Sequence, residues 1–276
     1  MSALIPEITL PNGVKIFYKN KEEVDFLYEE MPLYFKNGIE LHEGDIVFDV
    51  GANIGLFTLF VCQLCNNNAN IYAFEPIPAT FEVLQRNVQR FNPGKIKAFP
   101  CGLSQNSKTM TFAFYPNSTA WSTIYPDDSK EQRNSIKKVV LDNLKDAPSF
   151  IRWLRWLPPF VRSLVLDNKI EKAFQMEQVT CQLRTVSEII REHDVQQIDL
   201  LKVDVERSEL DVLLGIEKQD WQKIKQVVIE VHNLDRRIEK ITALLKEHGL
   251  NEITVEQEPF LKGYEIFNLY ALRQKS

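Results

Sequence analysis

From about residue 45 onward, apolar positions fall into two alternating rhythms. Short unbroken apolar runs have the length and branched character of strands buried on both faces. They are Asp45-Ile-Val-Phe-Asp-Val50, Asn70-Ile-Tyr-Ala-Phe-Glu75, Lys95 to Phe99, Ile198 to Val203 and Lys225 to Val231. Between them, apolar residues recur at helical spacing over Ile54–Leu64, Pro78–Phe91, Thr185–His193, Leu210–Gly215 and Leu234–His248. Pro78 sits at a helix start, where its missing N–H has no intrahelical partner to lose. Two closing strands, near 250–257 and 265–273, have no helix between them and predict an antiparallel hairpin at one edge. Strands alternating with helices predict an α/β fold, a doubly wound and mostly parallel sheet with helices on both faces. Residues 1–42 read as irregular strands and turns around Asn12-Gly13 and Asn37-Gly38.

Residues 126–178 interrupt the alternation. They contain Phe150-Ile-Arg-Trp-Leu-Arg-Trp-Leu-Pro-Pro-Phe-Val161, with Leu164 and Val165 beyond. A structureless loop of that length is improbable inside a compact domain. The segment therefore predicts a helical insertion in a single domain spanning 1–276, broken at Pro158-Pro159, acting as packing, as a lid or as a docking element.

Composition narrows the function classes. Hydrophobic residues make up 44% and charged residues 26%, enough for a large packed core. The net charge of −5, without a long basic block, argues against a nucleic-acid partner. The chain lacks the run of about 18 apolar residues that a membrane span needs, so no membrane partner is expected. Met1-Ser-Ala-Leu-Ile-Pro6 lacks the pattern of a secretory leader. Of the four cysteines, Cys62 and Cys65 have half-zinc-site spacing but lie in an apolar helical pattern. They read, with Cys101 and Cys181, as buried thiols in a reducing cytoplasm.

Three constellations carry candidate chemistry. The first strand ends at Asp49-Val-Gly51 and turns through Gly51-Ala-Asn53-Ile-Gly55 into a helix. The spacing matches neither the phosphate loop nor the dinucleotide Gly-x-Gly-x-x-Gly. Exposed amides and an acid there suit the zwitterionic amino-acid end of a cofactor. The second strand ends Phe74-Glu75-Pro76, where a carboxylate can accept hydrogen bonds from both hydroxyls of a ribose. Pro100-Cys-Gly102-Leu103-Ser104 follows the third strand and could flank a base. Then come Asp204 and Glu206, and Glu230 and His232, as two pairs, each two residues apart and so on one strand face, at the carboxyl ends of predicted parallel strands, the edge where open α/β sheets bind ligands. His232 is a candidate general base. His42, His193 and His248 lack acidic company and read as structural or solvated.

Taken together, Phe48-Asp-Val-Gly-Ala-Asn-Ile-Gly-Leu-Phe-Thr58, Phe74-Glu-Pro76, Leu200-Leu-Lys-Val-Asp-Val-Glu206 and Ile229-Glu-Val-His232 resemble the FkbM family of class I methyltransferases. The resemblance implies a Rossmann-like, seven-stranded sheet binding S-adenosyl-L-methionine, and O-methylation as the activity. It assigns Asp49, Gly51, Asn53, Gly55, Glu75, Pro76, Gly102, Leu103 and Asp204 to the cofactor. His232 would take the acceptor's proton, oriented by Glu206 or Glu230, with no metal. An alternative makes Asp204, Glu206 and His232 ligands of a Mg²⁺-like ion. Family members usually continue Gly-Ala-Glu after Glu206, whereas this chain has Arg207-Ser208-Glu209. Phe267-Asn-Leu-Tyr-Ala271, with Asn117-Ser118, Ser122 and Tyr125-Pro126, is similar to members embedded in polyketide and peptide synthases. That implies a natural-product acceptor, either a small molecule or bound to a carrier protein. A non-catalytic nucleoside-binding scaffold and an NAD-dependent dehydrogenase are the rival readings; the missing third glycine of the dinucleotide spacing speaks against the latter.

Overall fold

The computed structural model describes residues 5–91 and 94–274. Met1 to Leu4, on which the absence of a leader was read, lie outside the described residues.

The chain opens with an antiparallel pair, β1 (Glu7–Thr9) and β2 (Lys15–Phe17), followed by helix α1 (Lys21–Glu30) and a tight 3₁₀ turn over Met31–Phe35. The helix corrects the reading of residues 1–42 as strands and turns. In its sequence Lys-Glu-Glu-Val-Asp-Phe-Leu-Tyr-Glu-Glu only Val24 is fully buried, while Leu27 and Tyr28 on the same stripe pack partly buried against the same core. Its N-terminal signal is Asn20, whose side chain accepts from the Glu22 N–H.

The alternating core follows as β3 (Ile46–Val50), α2 (Leu56–Leu64), β4 (Asn70–Phe74), α3 (Pro78–Phe91) and β5 (Ile96–Phe99). Strand β6 (Gly102–Leu103), strand β7 (Lys108–Phe114), helices α4 (Lys130–Asp142), α5 (Ser149–Arg152) and α6 (Pro159–Ala173), and strand β8 (Glu177–Arg184) come next. The chain closes with α7 (Val186–Glu192), β9 (Leu200–Val203), α8 (Glu209–Leu214), β10 (Gln226–His232), α9 (Arg237–Glu247), β11 (Leu250–Glu256) and β12 (Ile266–Arg273).

Seven strands form one sheet in the order β11-β12-β10-β9-β3-β4-β5. All neighbours are parallel except β12, which runs antiparallel to both β10 and β11. The closing hairpin is thus present, with its return strand slotted inside the sheet and β11 at the edge. Val47, Phe48, Asp49 and Val50 are all fully buried. Strand alternation sends Phe48 and Val50 into one core, with Phe74, Ile189 and Leu213, and Val47 into the other, with Ile71, Leu59 and Leu84. The helices on both faces therefore follow from a strand with no polar side to offer water.

Strands β7 and β8 do not emerge from the strand–helix rhythm. They pair antiparallel from Lys108↔Leu183 to Phe114↔Glu177, and β8 also pairs with β6. Phe112, Phe114, Cys181 and Leu183 share one face of the pair and pack with Ile77 in a small core of their own. Helices α4 to α6 are an excursion between these two paired strands. The proline pair starts a helix rather than hinging one: Pro159 is its first residue.

Candidate active site

The sheet's carboxyl edge collects the chemistry. Asp49, last but one in β3, is fully buried. Its Oδ2 accepts from the Thr58 hydroxyl at 2.6 Å, and its Oδ1 meets the Lys202 ammonium at 3.1 Å. Lys202, 3% exposed in β9, also lies 3.3 Å from Asp204 Oδ2 and donates to the Gly51 carbonyl at 2.9 Å. Burial opposes the ammonium's charge, but Asp49 and Asp204 outweigh it and raise its pKa above the ordinary lysine value. Tyr34, from the turn after α1, donates to Asp204 Oδ2 at 3.0 Å.

Gly51 has φ +79°, and a Cβ there would sit 1.8 Å from the Asp204 carbonyl oxygen, so no side chain fits. Asn53 is also left-handed, at φ +49°. Its Oδ1 accepts from the Ile54 N–H and from the Thr119 hydroxyl. Glu75, one residue past β4, accepts from Ile77 N–H at 2.9 Å on one oxygen and Asn53 N–H at 3.1 Å on the other. Burial nevertheless pushes its pKa up to about 7.

Gly51, Asn53, Glu75, Pro76, Gly102, Leu103, Asp204 and Glu206 border one cleft of about 910 Å³, its open mouth included, together with Leu27, Met31, Tyr34, Thr119 and Lys202. Gly55 stands just behind the loop as the left-handed residue that starts α2. Beyond Glu206 lies His232, at the end of β10. Its Nε2 is 3.1 Å from Glu206 Oε2, and its Nδ1 is 2.8 Å from Glu209 Oε1. Glu209, fully buried, is held in turn by Arg237 at 2.7 Å. Burial works against a charged ring, yet Glu206 and Glu209 outweigh it and lift the imidazole well above its usual pKa. Glu230 has its carboxyl pushed well above the ordinary range by burial and by Asp204 and Glu206. The same forces act on Glu30 at the end of α1, through burial and then Glu230.

Residues 49–251 match the methyltransferase FkbM domain. The chain belongs to the FkbM family of methyltransferases. It is 35% identical over 277 residues to the 31-O-demethyl-FK506 methyltransferase FkbM of Streptomyces tacrolimicus, covering 99% of each chain. It is 32% identical to the AMB antimetabolite synthetase AmbE of Pseudomonas aeruginosa, over 97% of this chain but 12% of that one. The crystal structure of a methyltransferase FkbM from Methylobacillus flagellatus shares the fold, with a TM-score of 0.52 at 15% identity, over 89% of this chain and 50% of that one.

Two expectations about this FkbM site need correcting. Asp204 and Glu206 do not share a strand face, because β9 ends at Val203. Glu206 and Arg207 instead turn through left-handed backbone, φ +44° and +74°. Arg207 takes up, under strain, a conformation that glycine adopts freely. Its guanidinium donates to the Tyr125 carbonyl at 3.1 Å, tying this turn to the segment that leads into α4. Secondly, Glu230 makes no hydrogen bond to the imidazole; Glu209 takes that place. Glu209, Lys202, Tyr34 and Arg237 escaped sequence reasoning. Lys202 did carry a signal: a lysine inside Leu-Leu-Lys-Val, in a strand buried on both faces, must meet a carboxylate.

Proposed function

We propose that this methyltransferase uses S-adenosyl-L-methionine to O-methylate a hydroxyl of a polyketide or peptide intermediate, free or carrier-bound. The observation that carries the reading is the pairing, along one edge, of the Gly51 turn and Glu75 with the Glu206–His232–Glu209 chain. When bound, the cofactor supplies a methyl group on a positively charged sulfonium. The Gly51–Gly55 turn, with Asp49 behind it and Asp204 beside it, holds the amino-acid end. Glu75 accepts the ribose hydroxyls, while Pro76, Gly102 and Leu103 flank the base. His232, paired with Glu206, receives the acceptor's proton at Nε2, and Glu209 fixes the ring through Nδ1.

A test of the cofactor reading follows from the Glu75 pKa. Glu75→Ala should weaken S-adenosylhomocysteine roughly 100-fold, the scale of two hydrogen bonds to a charged group. Glu75 is half protonated near pH 7 in the empty cleft, and ribose hydroxyls favour its ionised form. Binding should therefore release a proton, and affinity should rise with pH through about 7 and level off above. Calorimetry in buffers of different ionisation enthalpy reads both. A variant that binds as the parent does would remove Glu75 from the ribose.

A second reading has an observation of its own. Ligand atoms of Glu206, Glu230 and His232 all lie within 4.8 Å of one another, a set that could ligate a divalent ion. This differs from the set expected from sequence, with Glu230 in the place of Asp204. A chelator leaves turnover unchanged under the metal-free mechanism. Loss of activity restored by Mg²⁺ or Mn²⁺ would establish the metal-assisted one.

A further inference from the structure

The excursion between β7 and β8 carries a surface that the chemistry above leaves unused. From Ala147 to Leu166 it holds three arginines and no carboxylate, in a chain of net charge −5. Trp156, Phe160 and Leu164 are 78%, 75% and 63% exposed, and Trp153 46%. These side chains are not outside for want of a core. Ile151, Leu154 and Leu166 from the same stretch pack with Leu144 and Ala147 beneath them. The apolar residues of this stretch are therefore split, some packed beneath and others presented to solvent. Exposed apolar residues gathered this closely mark an interaction site.

The arginines define the charge of that site. Among the described residues, none of Arg152, Arg155 and Arg162 pairs with a carboxylate. Arg152 donates to the Ala147 carbonyl, and Arg162 to those of Leu157 and Arg155, which fixes both cations in place. Arg155 lies over the Trp156 ring, 4.8 Å from its centroid. The excursion is also anchored to α1, through Lys169–Glu22 at 2.6 Å, Ser149 N–H to Glu29 and the edge contact of Phe150 on Phe26. Helix α1 contributes Leu27 to the cleft border, and no residue of 126–178 does so.

We propose that the Trp153–Leu164 face docks an acidic protein domain, one that presents carboxylates around a small apolar patch. If the carrier-bound reading of the acceptor holds, on which this identity rests, the domain is the carrier. Fixed guanidinium groups suit fixed carboxylates, and Trp and Arg are among the residues enriched at protein hot spots. The match to the AMB antimetabolite synthetase AmbE covers only 12% of that much longer chain.

The test uses the full chain and a panel of acidic, phosphopantetheine-bearing carrier domains, titrated by calorimetry. Phosphatidylcholine–phosphatidylserine vesicles form the second arm. Carrier binding should weaken as salt rises. Arg155→Glu and Trp156→Ser should each weaken it about tenfold or more, with thermal midpoint and S-adenosylhomocysteine affinity as in the parent. Carrier affinity untouched by either variant overturns the proposal. So does the absence of carrier binding, and capture by the vesicles in its place would assign the face to a lipid surface. A parent chain that binds no S-adenosylhomocysteine would instead remove the underlying cofactor reading, whatever the docking result.

Discussion

Replacing His232 with alanine is expected to lower turnover about 100-fold or more while S-adenosylhomocysteine binds as before. The size is that of one acid–base group. The separation of effects follows from position: His232 stands beyond Glu206, outside the lining of the cleft. In the resting site both ring nitrogens face carboxylates, and the ring holds its proton above the ordinary histidine range. Only the neutral ring can accept a proton from the acceptor. The rising limb of the pH–rate profile should therefore lie above the usual value of about 6.5. Glu209→Gln removes a negative charge from beside Nδ1 and should move that limb towards acid. Arg237, left without its carboxylate, pushes in the same direction. A limb at the ordinary histidine value that ignores Glu209→Gln would mean that His232 is not the titrating base. Full activity in His232→Ala would dispose of its role altogether.

Sequence and structure agree best where one physical signal decides the matter. β3, β4, β9 and β10 are apolar on both faces, so pattern alone located them and implied helices on either side. The Gly51 turn was legible because a positive φ and a backbone contact leave no room for a side chain. Other elements depend on distant partners. α1 presents a short stripe, Val24, Leu27 and Tyr28, among acidic residues, and its start is fixed by the Asn20 cap and its end by packing on the 3₁₀ turn. β7 and β8 pair across more than sixty intervening residues, and nothing local announces the partner. The site shows the same division. Glu75 and His232 are strand-end residues and could be read from spacing. Glu209 reaches His232 only because α8 begins immediately after the Glu206–Arg207 turn and aims its first side chain back at β10.

Lys202→Met is expected to destabilise the chain more than any other single change in the cleft. Its ammonium is the only cation found beside Asp49 among the described residues, and Asp49 is fully buried. Removing one partner of a buried ion pair strands the other, at a cost of about 3–5 kcal/mol. For a domain of this size, that corresponds to a midpoint lowered by roughly 10 °C. In the parent, Lys202 has its pKa raised in the folded state. Its contribution is complete at neutral pH and is lost only as pH climbs through that raised value. Urea unfolding of the two proteins at neutral pH reads the difference. Asp49→Asn in the Lys202→Met background removes the stranded charge and should recover much of the loss. S-adenosylhomocysteine binding should still fall in both, because the same ammonium holds the Gly51 carbonyl and Asp204 at the cleft wall. A Lys202→Met protein within about 1 kcal/mol of the parent would show that water or rearrangement satisfies Asp49 and that Lys202 does not organise the site.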